Sequence, residues 1–174
     1  SKPFTILVKQ MYFVYNNKKY PVDITLFNQY SQYFSKEDSI IRLQQGQSKI
    51  QYVNLISEFE FVSDISDESI STFLDYCQNR PINLKISNVI QVQYLSNKYE
   101  VTQLKDFTDR FISSNFKAVI NTIFSRKSID FQSETIIKKN LTLLLNDDRL
   151  FKIPISNMQR IFSSYSKNMN NVLF

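Results

Sequence analysis

The sequence predicts an α+β fold, a small β-sheet with clustered helices followed by an all-helical C-terminal extension. Three observations predict it. Short β-branched and aromatic runs, bounded by turn residues, recur before Ser66 around a first helix. Apolar stripes at helical spacing, with polar residues at their starts, follow. The charge balance then changes near residue 112, which divides the chain into a domain of residues 1–112 and an extension of residues 113–174.

In chain order, "FTILVK", residues 4–9, reads as a strand. "MYFVYNNKKYPV" holds two strand-like runs joined at Asn16-Asn17, residues that tolerate turn geometry, and so predicts a hairpin. Asp23 stands at a helix N-cap, where its carboxylate accepts the free amides of the first turn. Leu26, Phe27, Tyr30 and Phe34 then fall on one helix face. "SKEDSIIRLQQGQSK" is polar, carries the only glycine, Gly46, and predicts a loop, with "IQYVNLI" and "FEFV" as further strands. Ser66 caps a helix whose Ile70, Phe73, Leu74 and Cys77 keep the i, i+3, i+4, i+7 pattern, and Pro81 stops it.

Ser87 is the expected cap of a helix bearing Val92, Leu95 and Tyr99. The next helix starts at Thr102 and is expected to bury Leu104, Phe107 and Phe111, with Asp106 and Arg110 spaced to pair across one turn. A core Phe107 would make Phe107→Ala cost about 3–5 kcal/mol. In the extension, one stripe is Phe116, Val119, Ile120 and Ile123, and another is Ile137, Leu141, Leu144 and Leu145. Beyond Pro154 a third runs through Ile155, Met158, Ile161, Phe162 and Tyr165.

Hydrophobic residues make up 43% of the chain and charged residues 21%, a balance that argues against disorder. One Gly disfavours folds built on glycine-rich loops that cradle phosphates. The lone Cys77 cannot close an internal disulfide and suits a reducing compartment, the cytoplasm or nucleus. No apolar run approaches the ~20 residues needed to span a bilayer, and no signal-peptide pattern opens the sequence. Residues 1–112 hold twelve Lys/Arg and twelve Asp/Glu, whereas residues 113–174 hold nine and four. The whole formal excess of +5 therefore lies in the extension, which leaves nucleic acid or an acidic partner open there.

"YPVDITLFNQYSQYF", residues 20–34, resembles the strand-into-helix signature of BTB/POZ domains, F-x-x-H-x-x-x-L-x-x-x-S-x-x-F. Tyr20 takes the first aromatic place, Phe27 the leucine, Ser31 the serine and Phe34 the last phenylalanine, while Asp23 replaces the histidine. "FEFVSDISDESISTFLDYCQNRPINL" is similar to that family's strand, helix and F-x-x-L-x-Y block. "NVIQVQYLSNKYEVTQLKDFTDRFI" is similar to its paired helices, with Leu95, Tyr99 and Leu104 in the L, Y and L places. The resemblance covers about residues 4–115, and the helices after it are similar to a partial BACK-type extension. Within that family the sequence is similar to the divergent BTB-like leader that precedes ankyrin repeats in certain protist proteins.

The resemblance implies a protein–protein interaction module, an adaptor or a homodimer formed through the first helix and a swapped N-terminal strand. It would place Phe4, Ile6 and Val8 with Leu26, Tyr30 and Tyr33 in a partner interface, where aromatics are enriched. On the residues alone, the two tyrosines read as core or snorkelling side chains, core before the other. Cullin recruitment, known for some members, is disfavoured here. The loop after the first helix reads "SKEDS", with Ser35 in the place of the hydrophobic residue that binders carry, and Asp23 is not histidine.

Catalysis is not expected. The chain has no histidine, the commonest general base and metal ligand. Cys77 lies on an apolar helix face, where it acts as a small hydrophobe. The carboxylate groups Asp64, Asp67 and Glu68, and Asp147-Asp148, read as helix-start and turn residues before they read as a metal or acid–base site. No cofactor or metal is expected. The alternative to a protein-binding module is a basic helical adaptor that binds nucleic acid or another polyanion through residues 117–152, using Arg126, Lys127, Lys138, Lys139 and Arg149.

Overall fold

An asparagine pair turns the chain at the start of the described fold. The computed structural model of the protein describes residues 11–33, 55–58 and 64–173. Asn16 and Asn17 both take positive φ, 48° and 62°, the left-handed pair that a two-residue hairpin needs. They join β1 (Met11–Tyr15) to β2 (Lys18–Val22), with Phe13 opposite Tyr20. Pro21 is tolerated because β2 lies at the edge of the sheet, whose order is β2-β1-β3. The third strand, β3 (Leu55–Glu58), runs parallel to β1, and residues 23–54 supply the long connection that parallel pairing requires.

α1 (Ile24–Tyr30) starts where Asp23 predicts, its carboxylate accepting from the Thr25 and Leu26 amides at 2.9 and 3.2 Å. α2 (Asp67–Cys77) is capped by Ser66, whose hydroxyl accepts from the Ser69 amide. It buries Ile70, Phe73, Leu74 and Cys77, as the spacing predicts. Its end is set by Asn79, left-handed at φ 59°, ahead of Pro81. α3 (Val89–Lys98) and α4 (Thr102–Ser114) follow, linked through Glu100 at φ 54°.

The core of this part is an aromatic cluster. Phe27 lies 5.3 Å from Phe13 and 6.1 Å from Phe73 between ring centroids, and Tyr99 touches all three. Edge-to-face and tilted contacts at these distances add to the area they bury.

By its contacts the chain falls into two compact units, Ser1–Arg110 and Phe111–Phe174. The second contains the end of α4, then α5 (Phe116–Ser125), α6 (Phe131–Lys139), α7 (Leu141–Leu144), a 3-10 turn (Asp148–Lys152) and α8 (Ile155–Leu173). Its buried residues include Val119, Ile120, Ile123, Ile137, Leu141, Leu144, Leu150 and Ile161. The described residues are thus mostly helical with one small sheet, an α+β arrangement.

Several expectations change. Asn88, not Ser87, precedes α3, and its side chain accepts from the Lys85 amide and donates to the Asn83 carbonyl. Phe107 is 41% exposed, because α4 turns Leu104, Thr108 and Ile112 inward at i, i+4, i+8. The buried Gln93 amide draws Thr108 in with a 3.1 Å bond to its hydroxyl. Among the described residues Asp106 and Arg110 form no ion pair. The stripe from Ile137 to Leu145 is broken at Asn140 into two helices, with Leu145 half-buried. Ile155 is 73% exposed, not core. The strand at 4–9, Phe34, the loop with Gly46, residues 50–54 of "IQYVNLI", "FEFV" and the Tyr165 side chain lie outside what is described.

Candidate protein-interaction surface

The α1 face is tied into its own unit. The Tyr30 hydroxyl donates to Asn79 Oδ1 at 2.9 Å, and its ring meets Tyr76 edge-on at 5.2 Å. Tyr33 packs edge-on against Tyr99 at 5.0 Å, and Leu26 is half-buried. What α1 and the residues just after it expose is polar: Thr25, Asn28, Gln29 and Gln32. Phe4, Ile6 and Val8, the strand half of the expected interface, lie outside the described residues. Tyr30 and Tyr33 therefore act as struts between α1, α2 and the end of α3.

A shallow open cleft of about 200 Å³ lies beside the hairpin, lined by Tyr15, Asn16, Lys18, Tyr20, Ile65 and Asp67. Its polar groups serve one another. The Asp67 carboxylate accepts from Lys18 Nζ and from the Tyr20 hydroxyl, each at 2.5 Å. The Lys18 bond, then the Tyr20 bond, hold the Asp67 carboxyl below its ordinary range. Burial, then the same carboxylate, push the Tyr20 phenol up. Asp64, Asp67 and Glu68 do not converge: Asp64 accepts from Tyr15, and Glu68 pairs with Lys85 at 3.0 Å. Among the described residues no group of three or more His, Cys, Asp or Glu side chains is placed to hold a metal ion. Cys77 is buried, and that burial raises its thiol far above neutrality.

The five basic residues singled out for a polyanion meet different fates. Arg126 pairs with Asp130 at 3.6 Å and Lys138 with Glu134 at 3.1 Å. Arg149 is chelated by Asp147 through its Nε and Nη2 atoms, bonds Asn121 Oδ1 at 2.9 Å and lies over the Phe124 ring. Lys127 and Lys139 are exposed. Glu134 was not foreseen as a structural centre. It is 2% exposed, yet it accepts from Asn157 Nδ2 at 2.8 Å and from Arg160 Nε at 3.0 and 3.1 Å. No signal short of the packed helices distinguishes it from a surface glutamate, because a Lys at i+4, here Lys138, pairs equally well with an exposed Glu.

Apolar exposure concentrates in the second unit. Of the five large hydrophobic residues exposed among those described, Phe131, Leu143, Phe151 and Ile155 belong to it, and only Phe107 does not. Phe131 and Leu143 stand apart in sequence. Phe151 does not stand alone: its ring stacks on Phe162 with centroids 6.3 Å apart and planes 21° apart. Ile155, Met158 and Phe162 recur at i, i+3 and i+7 on α8, so they share one face of that helix. The result is an apolar strip running from the 3-10 turn along α8. A periodic reading could place Ile155, Met158 and Phe162 on α8 but could not tell that Ile155 is exposed and the other two are half-buried. Among the described residues no helix is long and apolar enough to cross a membrane. No protein-family model matches the chain, and no curated protein does.

Proposed function

We propose that the chain is a non-catalytic protein-interaction module of BTB/POZ-like build with a BACK-like helical extension, which works as an adaptor in the cytoplasm or nucleus. The observation that carries this is the apolar strip in which Phe151 and Ile155 are exposed and the half-buried Phe162 stacks on Phe151, since such a surface is what a protein partner can bury. The element order of the first unit supports the build: hairpin, capped helix, strand, capped helix, helix pair. The residues quoted for the resemblance also meet in space, with Phe27 and Ser31 both touching Tyr99.

The ionisable groups favour a passive role. Burial raises the Cys77 thiol and the Tyr99 phenol, and hydrogen bonds lower Asp67 and Asp147, so each of these moves away from the neutral range that acid–base chemistry uses. A polyanion-binding role through residues 117–152 draws less support, because Arg126, Lys138 and Arg149 already have carboxylate partners.

The test is stoichiometric co-purification from the cells that make the protein, comparing the natural chain with a Phe151→Ser, Ile155→Ser double variant. Both positions are exposed, so the variant is expected to melt like the parent and to lose its co-purifying protein. Identical recoveries from two equally folded chains would remove the strip from the function.

A further inference from the structure

The strip has a defined setting within the second unit. One face of α8 is packed within the unit, with Asn157 and Ile161 buried and Arg160 bound to Glu134. An apolar face of the same helix carries the exposed Ile155 and the half-buried Met158 and Phe162, with the exposed Phe151 stacked on Phe162.

Charge decides what can cover it. Residues 111–174 carry nine Lys/Arg and four Asp/Glu. Three of those carboxylates are already paired: Asp130 with Arg126, Glu134 with Lys138 and Arg160, and Asp147 with Arg149. Lys117, Lys127, Lys139 and Lys152 are exposed, and Lys152 directly follows Phe151. A compact unit of this length has a radius of gyration of about 11 Å. That exceeds the ~8 Å Debye length at physiological salt, so the positive field acts mainly on charges brought close to the unit's surface, as docking does. A second copy docking by the same face would set one positive unit against another, and like charges across an interface oppose association. A negatively charged partner is drawn in by the same field.

Resting on the interaction-module reading, we propose that the strip formed by Phe151, Ile155, Met158 and Phe162 is the docking site for an acidic amphipathic protein segment. Its apolar side chains lie on the strip, and its Asp and Glu side chains face the exposed lysines. Nucleic acid fits less well. Phosphates need cations and not an exposed isoleucine, and much of the basic set is held by carboxylates.

The intact chain is titrated, with fluorescence anisotropy as readout, against two synthetic helical peptides. The two share one apolar pattern at i, i+3, i+4 and i+7 and differ in carrying Glu or Lys on the polar face. A labelled single-stranded oligonucleotide is the third probe. The Glu peptide is expected to bind at least about tenfold tighter than the Lys peptide and to weaken as salt rises from about 50 to about 300 mM. Ile155→Ser and Phe151→Ser are each expected to weaken it severalfold with unchanged melting. Equal affinity for both peptides, or binding of neither, overturns the acidic-segment assignment. So does oligonucleotide binding that ignores both serine variants. Light scattering on the same samples separates this failure from that of the wider reading: a dimer dissolved by Ile155→Ser makes a second copy the occupant and leaves the interaction module standing.

Discussion

The Ser31 hydroxyl donates to the main-chain carbonyl of Tyr99 across sixty-eight positions of sequence, and it accepts from the Tyr33 amide at 3.2 Å. The Gln32 amide reaches the Glu100 carbonyl beside it at 3.3 Å. The end of α1 is thereby fastened to the end of α3, above the Phe13, Phe27, Phe73 and Tyr99 cluster. Ser31 is 2% exposed, so no water replaces a lost partner. Ser31→Ala should cost about 1–3 kcal/mol, because it leaves a buried carbonyl short of a donor. Urea denaturation measures it, and a cost near zero would mean that the carbonyl finds another donor.

Leu104 and Phe107 form a paired test of which way α4 faces. Leu104 is fully buried and Phe107 is not. Leu104→Ala should cost about 2–5 kcal/mol through the cavity it leaves, and Phe107→Ala less than about 1 kcal/mol. The reverse order would rotate the helix back to the orientation that its apolar pattern predicts.

The hairpin turn can be improved. Asn17 stands at φ 62° in the second turn position, where glycine meets no Cβ penalty. Asn17→Gly should raise stability by about 0.5 kcal/mol, and Asn17→Val should lower it by about 1–3 kcal/mol, since a β-branched residue resists positive φ. Thermal melts of the three chains should rank Gly, Asn, Val from most to least stable.

Glu134 gives the second unit an acid limit. Burial alone would raise its carboxyl, but the bonds from Arg160, Asn157 and Lys138 outweigh it and hold the carboxyl below its ordinary 4.5. A depressed carboxyl contributes stability that is complete above the unfolded value and lost as pH falls through the folded one. The denaturation midpoint of the parent should therefore fall more steeply between about pH 5 and about pH 3 than that of Glu134→Gln. Parallel acid limbs would show that the group does not contribute.

Local chemistry was legible in the sequence at most positions that a single segment decides, the Ser87 cap excepted. Asp23 and Ser66 cap the helices they precede, Asn16-Asn17 turns the hairpin, and the α2 stripe from Ile70 to Cys77 is buried as its spacing predicts. These depend on backbone angles and on amides a few residues away, which the sequence states directly. The expected partner surface of Leu26, Tyr30 and Tyr33 was not decided this way. The same aromatic at the same helical spacing serves as a strut once Asn79, Tyr76 and Tyr99 stand opposite it.

Other positions were decided by tertiary structure alone. Thr108 is buried because Gln93 on another helix bonds it, and Glu134 because Asn157 and Arg160 do. Hydrophobic periodicity is blind to polar side chains that find partners across helices. It is equally blind to which apolar stripe remains without one, so Ile155 reads as core in one dimension and lies in water in three. The reason is the same in each case: a side chain's burial depends on what packs against it, and that neighbour is far away in the sequence.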